Sequence, residues 1–114
     1  MTIAPLETGF EHIDDELCRS FLVQVEVAGR KWNGAILLAG ARGARRFSEY
    51  REVVSGISDR VLTQRFRELE AEGLIERTVT PTTPVLVQYA PTDYGRQLLR
   101  ALQPLTELGL AHKK

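Results

Sequence analysis

The sequence predicts an α+β fold that is mainly helical: a helix-turn-helix followed by a β-hairpin, with a further helix at each end. Three observations support this fold: a helix with marked ends over residues 58–72, a Gly-containing turn before it, and two β-rich segments after it. The 114 residues are 43% hydrophobic, which suffices for one core. We expect one domain over residues 14–114, preceded by a flexible arm over residues 1–13.

The helix over residues 58–72 has both a start signal and a stop signal. Ser58 can accept a hydrogen bond from a free N–H of the first turn, and Gly73 can adopt the left-handed conformation that ends many helices. One face is apolar and comprises Leu62, Phe66 and Leu69. The opposite face offers groups that can bond to base edges in the DNA major groove, namely Arg60, Thr63, Gln64 and Arg67. A solvated outer face is the alternative interpretation.

Two helices are predicted before this region. Asp14 or Asp15 can cap the first, which ends at Gly29, and the second begins near Trp32 and ends among the glycines of residues 40–43. The first helix has more apolar residues than one core contact needs, which predicts burial against a second copy of the chain. These residues are Leu17, Cys18, Phe21, Leu22, Val23, Val25 and Ala28.

The helix-turn-helix is predicted from a short helix and the turn that follows it. Residues 45–47 are predicted to form a very short strand, and Ser48 to cap a short helix over residues 49–54. Residues 55–57 then form the turn that leads to Ser58.

The C-terminal part predicts a hairpin and a last helix. Residues 74–80 and 85–90 are rich in Val, Ile, Thr and Tyr, and residues 81–84 form the tip between them, so residues 74–90 are expected to be a wing. A final helix is predicted over residues 92–111, with a kink at Pro104 because proline lacks the backbone N–H.

The net charge is zero, but the charges are unevenly distributed. Residues 42–67 hold seven arginines against three carboxylates, whereas residues 1–29 hold one arginine against six. This pattern predicts one anion-binding surface on an otherwise acidic molecule. No apolar run is long enough to span a membrane, no signal peptide is apparent and the single cysteine fits a reducing compartment, so we expect a cytoplasmic protein.

No enzyme or metal site is predicted. His12 and His112 lie near the ends of the chain and are expected to be solvated. No catalytic triad, phosphate-binding loop or Cys/His metal pattern has workable spacing. His12, Cys18, Asp14 and Asp15 could hold a metal only in principle, and no cofactor is expected.

Several stretches have the residues and spacing of one known family. They are Gly29–Gly34, Gly43–Glu49, Gly56–Ser58, Leu62–Arg65, Arg67–Glu70, Gly73–Arg77, Pro84–Val85, Tyr89 and Gly95. Over residues 18–105 the chain therefore resembles the HxlR-type regulators, bacterial winged-helix transcription factors related to the MarR superfamily. The resemblance implies a nucleoid-associated homodimer, paired through its terminal helices, that binds a palindromic operator in double-stranded DNA.

The recognition helix of that family corresponds to residues 58–72. Base contacts are expected from its outward side chains, Arg60, Thr63, Gln64 and Arg67. Phosphate contacts are expected from Arg45, Arg46, Ser48, Ser58, Arg77, Thr82 and Thr83.

Two departures from the family pattern concern DNA affinity. Leu86 stands on the second wing strand where members often carry Lys or Arg, and Asp59 stands where they often carry Pro. Wing contacts with phosphate should therefore be weak. A winged helix used for protein–protein contact, with weak or no DNA binding, is the alternative function.

The resemblance also includes Cys18. One branch of the family senses quinones, aldehydes or hypochlorite through a cysteine fourteen residues before the Trp of a Lys/Arg-Trp-Asn-Gly stretch, and Cys18 and Trp32 keep this separation. The helix dipole and Arg19 favour the thiolate, whereas the acidic residues 14–16 favour the thiol. Cys18 is therefore either a redox or electrophile sensor or a small apolar side chain at a dimer interface.

Overall fold

The computed structural model describes residues 14–113, which form five α-helices and one antiparallel β-hairpin. The elements in chain order are α1 (Asp15–Gly29), α2 (Asn33–Ala41), α3 (Phe47–Val53), α4 (Asp59–Ala71), β1 (Ile75–Thr80), β2 (Leu86–Pro91) and α5 (Asp93–Ala111). The predicted winged-helix fold is confirmed, with α3 and α4 as the helix-turn-helix and β1–β2 as the wing. The arm predicted over residues 1–13 lies outside the described residues.

The ends of α4 form as the sequence predicts. The Ser58 hydroxyl accepts a hydrogen bond from the Val61 N–H at 3.1 Å. At the other end Gly73 has a φ of +76°, and the Leu74 N–H donates to the Leu69 carbonyl at 2.9 Å. This reversal satisfies a carbonyl that the helix leaves free and directs the chain into β1.

The core lies where α2, α3, α4 and the wing meet, and aromatic rings join these elements. Phe66 of α4 stacks on Tyr89 of β2 with ring centroids 4.0 Å apart, and Tyr50 of α3 meets Phe66 edge-on at 4.9 Å. The Tyr50 hydroxyl donates to the Tyr89 carbonyl at 2.8 Å, and burial raises the pKa of Tyr50 to about 12. Helix α4 is therefore packed directly against the wing.

The strand predicted at residues 45–47 is wrong. The Arg45 carbonyl accepts one hydrogen bond from the Tyr89 N–H at 2.7 Å, but the pairing goes no further because α3 already begins at Phe47. The only strands in residues 14–113 are therefore β1 and β2, paired from Ile75 with Pro91 to Thr80 with Leu86.

The cap predicted for α3 is also wrong, because Arg46 and not Ser48 is the N-cap residue. A guanidinium has no acceptor, so the carboxylate of Glu49 provides the capping contacts instead. Its Oε1 accepts from the N–H groups of Arg46 at 2.8 Å and Arg45 at 3.0 Å. These backbone hydrogen bonds lower the pKa of Glu49.

The terminal helices expose much of their apolar surface. Asp14 caps α1 by accepting from the Leu17 N–H at 2.8 Å, yet α1 contains no buried residue. Thr92 caps α5, which continues through Pro104. None of the helices described here is both long and apolar enough to cross a bilayer. The large apolar side chains exposed on α1 and α5 are Leu17, Phe21, Leu22, Val23, Val25, Leu105, Leu108 and Leu110.

Candidate nucleic-acid interface

The four side chains predicted to contact bases lie together on the outer face of α4. Arg60, Thr63, Gln64 and Arg67 are all exposed, and with Asp59 they line one shallow concavity. The opposite side of the helix is buried in the core through Leu62, Phe66 and Leu69. We call the set of Arg60, Thr63, Gln64 and Arg67 the reading face.

The reading face keeps most of its hydrogen-bonding groups available. The Thr63 hydroxyl donates to the Asp59 carbonyl at 2.8 Å, which leaves its methyl group and its oxygen lone pairs free. Neither Arg60 nor Arg67 forms an ion pair with any residue that the structure describes. Two guanidiniums can therefore reach an external partner without first breaking an internal salt bridge.

The acidic residue at the start of α4 is neutralised by α3. The guanidinium Nη1 of Arg51 lies 3.3 Å from Oδ1 and 3.2 Å from Oδ2 of Asp59. The negative charge that the sequence places beside the reading face is thus paired with a cation of the same helix-turn-helix. Sequence reasoning missed this contact, which forms because the turn brings the end of α3 against the start of α4.

Three of the predicted phosphate contacts come from exposed residues of the helix-turn-helix. Arg46, Ser48 and Ser58 are exposed at the starts of α3 and α4. Ser58 accepts a hydrogen bond through its oxygen, so its own hydroxyl proton remains available for a donor contact. The N-terminal turn of α4 favours an anion because its N–H groups and its dipole point outward, whereas the carboxylate of Glu49 already occupies the start of α3.

Arg45 differs from these three residues. Its side chain is half-buried, and its Nη1 donates to the carbonyls of Gly40 and Ala44, both at 2.7 Å. One guanidinium nitrogen is therefore committed to two backbone carbonyls, one at the end of α2 and one in the loop before α3. A phosphate contact through the remaining nitrogens stays a prediction.

The wing contributes few free donors. Arg77 is exposed on β1. At the tip, the Thr82 hydroxyl donates to the Pro84 carbonyl at 2.7 Å and the Thr82 N–H donates to Thr80 at 2.8 Å. Thr82 would have to break an internal bond to donate to phosphate, whereas Thr83 is exposed with no such contact among the described residues.

An ion-pair cluster next to the reading face joins α4 to residues 30 and 31, which link α1 to α2. Oε2 of Glu68 accepts from Nη1 of Arg30 at 3.0 Å and from Nη1 of Arg65 at 2.9 Å. Arg65 also donates from Nε to the Lys31 carbonyl at 3.2 Å. Burial acts to raise the pKa of Glu68, but the hydrogen bonds from the two arginines outweigh it and lower that pKa.

Cys18 is exposed in the first turns of α1, where its N–H donates to the Asp14 carbonyl at 3.0 Å. This exposure is consistent with a sensor that reagents can reach. It is equally consistent with an apolar side chain that a second subunit would cover. Residues 14–113 contain no group of three or more His, Cys, Asp or Glu side chains arranged to hold a metal ion. His12 lies outside the described residues.

The sequence of this chain is similar to that of known proteins. Residues 27–114 match the family model described as HxlR-like helix-turn-helix. The helix-turn-helix-type transcriptional regulator YvaP of Bacillus subtilis (strain 168) is 36% identical over 92 residues, covering 81% of this chain and 85% of YvaP.

Two solved structures share the fold. A transcriptional regulator of the MarR family from Enterococcus faecalis V583 superposes with a TM-score of 0.77 at 29% identity, covering 91% of this chain and 93% of that one. The reduced form of the redox regulator HypR superposes with a TM-score of 0.76 at 33% identity, covering 83% of this chain and 94% of HypR.

Proposed function

Because the chain belongs to the HxlR-like helix-turn-helix family of transcriptional regulators, we propose that it binds a palindromic operator in double-stranded DNA as a homodimer. The observation that carries the proposal is the reading face, which is exposed while the opposite side of α4 is buried. A B-DNA major groove admits an α-helix, in which Arg can grip guanine, Gln can grip adenine and Thr can contact either a polar edge or the thymine methyl.

Phosphate contacts would fix the register of α4 in the groove. Arg46, Ser48 and Ser58 are exposed at the starts of α3 and α4, the two helices of the helix-turn-helix. We assign smaller contributions to Arg45 and Thr82, because each already bonds to the protein backbone. The remaining candidates, Arg77 and Thr83, are exposed on the wing.

The exposed apolar side chains of α1 and α5 support the homodimer. Phe21 and Leu22 of α1 are 53% and 58% exposed, and Leu105 and Leu110 of α5 are 63% and 67% exposed. Exposed apolar surface of this kind is costly in water and is typical of a protein–protein interface. Pairing through these helices would place the two α4 helices in successive major grooves, with half-site centres about 34–36 Å apart.

Replacing Arg60 with alanine is expected to weaken operator binding by about 1–3 kcal/mol, because a bidentate contact to a base edge is lost. Binding to random DNA should change little, because it depends on phosphate contacts. The operator would be obtained by selection from a randomised duplex library, and affinities measured by fluorescence anisotropy at fixed salt. Equal losses on operator and random DNA would exclude base reading by Arg60. The homodimer has a separate test: if a duplex with one half-site is bound as tightly as a duplex with two, the dimer is excluded.

Replacing Arg46 with alanine is expected to weaken binding to all duplexes to a similar extent. A phosphate contact carries no sequence information, and its loss removes one released counterion. The slope of log K against log salt concentration should become shallower by about one unit. An unchanged slope would remove Arg46 from the set of phosphate contacts.

We further propose that oxidation or alkylation of Cys18 switches DNA binding. Cys18 is exposed on the helix expected to form the dimer, and a redox regulator is among the chains with this fold. Diamide takes two hydrogen atoms from two thiols and leaves a disulfide. With one cysteine per chain, the product must join two subunits or one subunit and a small thiol. Either product would disturb the packing of α1 and thereby the spacing of the two α4 helices.

The test is operator binding before and after diamide, with Cys18→Ser as the matched variant. We expect the parent to lose affinity after treatment and to regain it with dithiothreitol, while Cys18→Ser stays unchanged. A serine variant that responds like the parent would exclude the switch and leave Cys18 as an interface side chain.

The wing gives some support to a second function, a protein–protein interaction module with weak or no DNA binding. No residue of β1 or β2 other than Arg77 is cationic, and the Thr82 hydroxyl is already engaged. Retention on DNA-cellulose at low salt separates the two functions. A chain that elutes in the void volume would favour the interaction module, whereas retention that is lost at higher salt would favour DNA binding.

A further inference from the structure

Gln64 differs from the rest of the reading face because its polar group contacts another side chain in the described part of the molecule. Its Nε2 lies 3.4 Å from Oε1 of Glu68, one helical turn further along α4. This distance is long for an N–H···O bond, so the pair alone is weak. Its importance depends on how firmly Glu68 itself is held.

Glu68 is held from two sides by guanidiniums. Its Oε2 accepts from Arg30 at 3.0 Å and from Arg65 at 2.9 Å, and the side chain of Arg65 is only 18% exposed. Arg65 is anchored in turn by its bond to the Lys31 carbonyl. Charge-assisted hydrogen bonds of this kind are short and strong, so the carboxylate has a fixed position relative to α4 and to the α1–α2 connection.

A fixed carboxylate constrains which groups Gln64 can present. A glutamine amide has two N–H donors and one carbonyl acceptor. With one N–H directed to Glu68, one N–H and the carbonyl remain. Adenine offers N7 as an acceptor and the N6 amino group as a donor in the major groove, so the remaining pair is the one that adenine requires. A freely rotating glutamine would have to be ordered on binding, at an entropic cost.

We propose that Glu68 is a positioning residue for base reading, which holds the Gln64 amide in the orientation that recognises adenine and is itself held by Arg30. This inference rests on the proposed function, because Gln64 must meet a base edge for its orientation to matter. It implies that the sequence preference at one base pair depends on Arg30, a residue outside the helix-turn-helix.

The test begins with the Gln64 base pair. Binding sites are selected by the full-length parent from a randomised duplex library, and Gln64→Ala identifies the base pair whose preference Gln64 sets. We then expect Glu68→Gln to reduce the preference at that pair about fivefold or more, within the range for loss of one bidentate contact. Preferences at the other pairs should remain. In the Gln64→Ala background, Glu68→Gln should cause no further loss at that pair.

Glu70→Gln is the matched control. Glu70 lies on the same helix, is exposed and forms no ion pair with the described residues, and its replacement removes the same charge. Both variants should bind random DNA somewhat more tightly, because one repulsive charge is gone. Only Glu68→Gln should alter the preference at the Gln64 pair. Arg30→Met is a second variant, expected to reduce that same preference, and thermal unfolding of each variant reports whether the fold is intact.

The possible results separate this inference from the proposed function. If Gln64→Ala removes a preference that both Glu68→Gln and Arg30→Met leave intact, the positioning role is excluded while base reading by Gln64 stands. If the parent selects no preferred sequence, or Gln64→Ala changes no preference, base reading by Gln64 fails and the positioning role fails with it. A loss spread equally over all base pairs would also exclude positioning, because it indicates a general disturbance of α4.

Discussion

Replacing Phe66 with alanine is expected to lower the free energy of unfolding by about 3–5 kcal/mol. Phe66 is 2% exposed, stacks on Tyr89 and meets Tyr50 edge-on, so its loss leaves a cavity where α3, α4 and β2 join. The stability of a small domain is about 5–15 kcal/mol, so this single change removes a large part of it. The proposed operator binding should fall with it, because Phe66 holds α4 against the wing.

Urea denaturation followed by circular dichroism measures the effect, with two control variants. Phe66→Leu retains much of the buried volume and should cost less than the alanine variant. Val53→Ala removes an apolar side chain that is 61% exposed on α3 and should change stability by no more than about 0.5 kcal/mol. If Phe66→Ala proved as stable as Val53→Ala, the aromatic cluster could not be what joins the helix-turn-helix to the wing.

Replacing Gly95 with alanine is expected to destabilise the fold by about 1–3 kcal/mol or more. A Cβ atom at this position would overlap the carbonyl oxygen of Leu74 and press on Leu37. The Leu74 carbonyl cannot rotate away, because it belongs to the backbone and already accepts the Thr92 N–H at 3.1 Å. The start of α5 would have to move off the end of the helix-turn-helix.

Gly109→Ala on the same helix is the control for Gly95→Ala. A Cβ atom at Gly109 meets nothing within 4 Å, and alanine is the better helix former by about 1 kcal/mol. This variant should therefore be as stable as the parent or more so in thermal unfolding. Equal stability of the two variants would show that α5 is not packed tightly against Leu74.

Most of the fold could be predicted because its signals are local. Ser58 and Gly73 mark the ends of α4 through capping geometry that involves neighbours within a few residues. The separation of Leu62, Phe66 and Leu69 from the reading face follows from helical periodicity alone. The two errors lie at the start of α3 and in the loop before it. Glu49 rather than Ser48 supplies the capping contacts, and Arg45 makes one bond to β2 without forming a strand.

The candidate site was only partly predictable, because the pairing of its side chains depends on how the elements pack and not on local signals. The sequence placed four polar side chains on one face of a helix, but it did not show that Arg51 pairs with Asp59 or that Arg45 donates to the Gly40 carbonyl at the end of α2. The contact between Arg30 and Glu68 joins residues 38 positions apart, beyond any local pattern.

By itself, the sequence determined the order of the helices and of the two wing strands, which side of α4 is apolar, and which family the chain resembles. These properties depend on backbone capping, on periodicity and on residues close together in the chain. The tertiary structure alone decided which charged groups are free, which are paired and which are held by the backbone. Those outcomes depend on how distant elements pack, since the guanidinium of Arg30 reaches the carboxylate of Glu68 only when the end of α1 lies against α4.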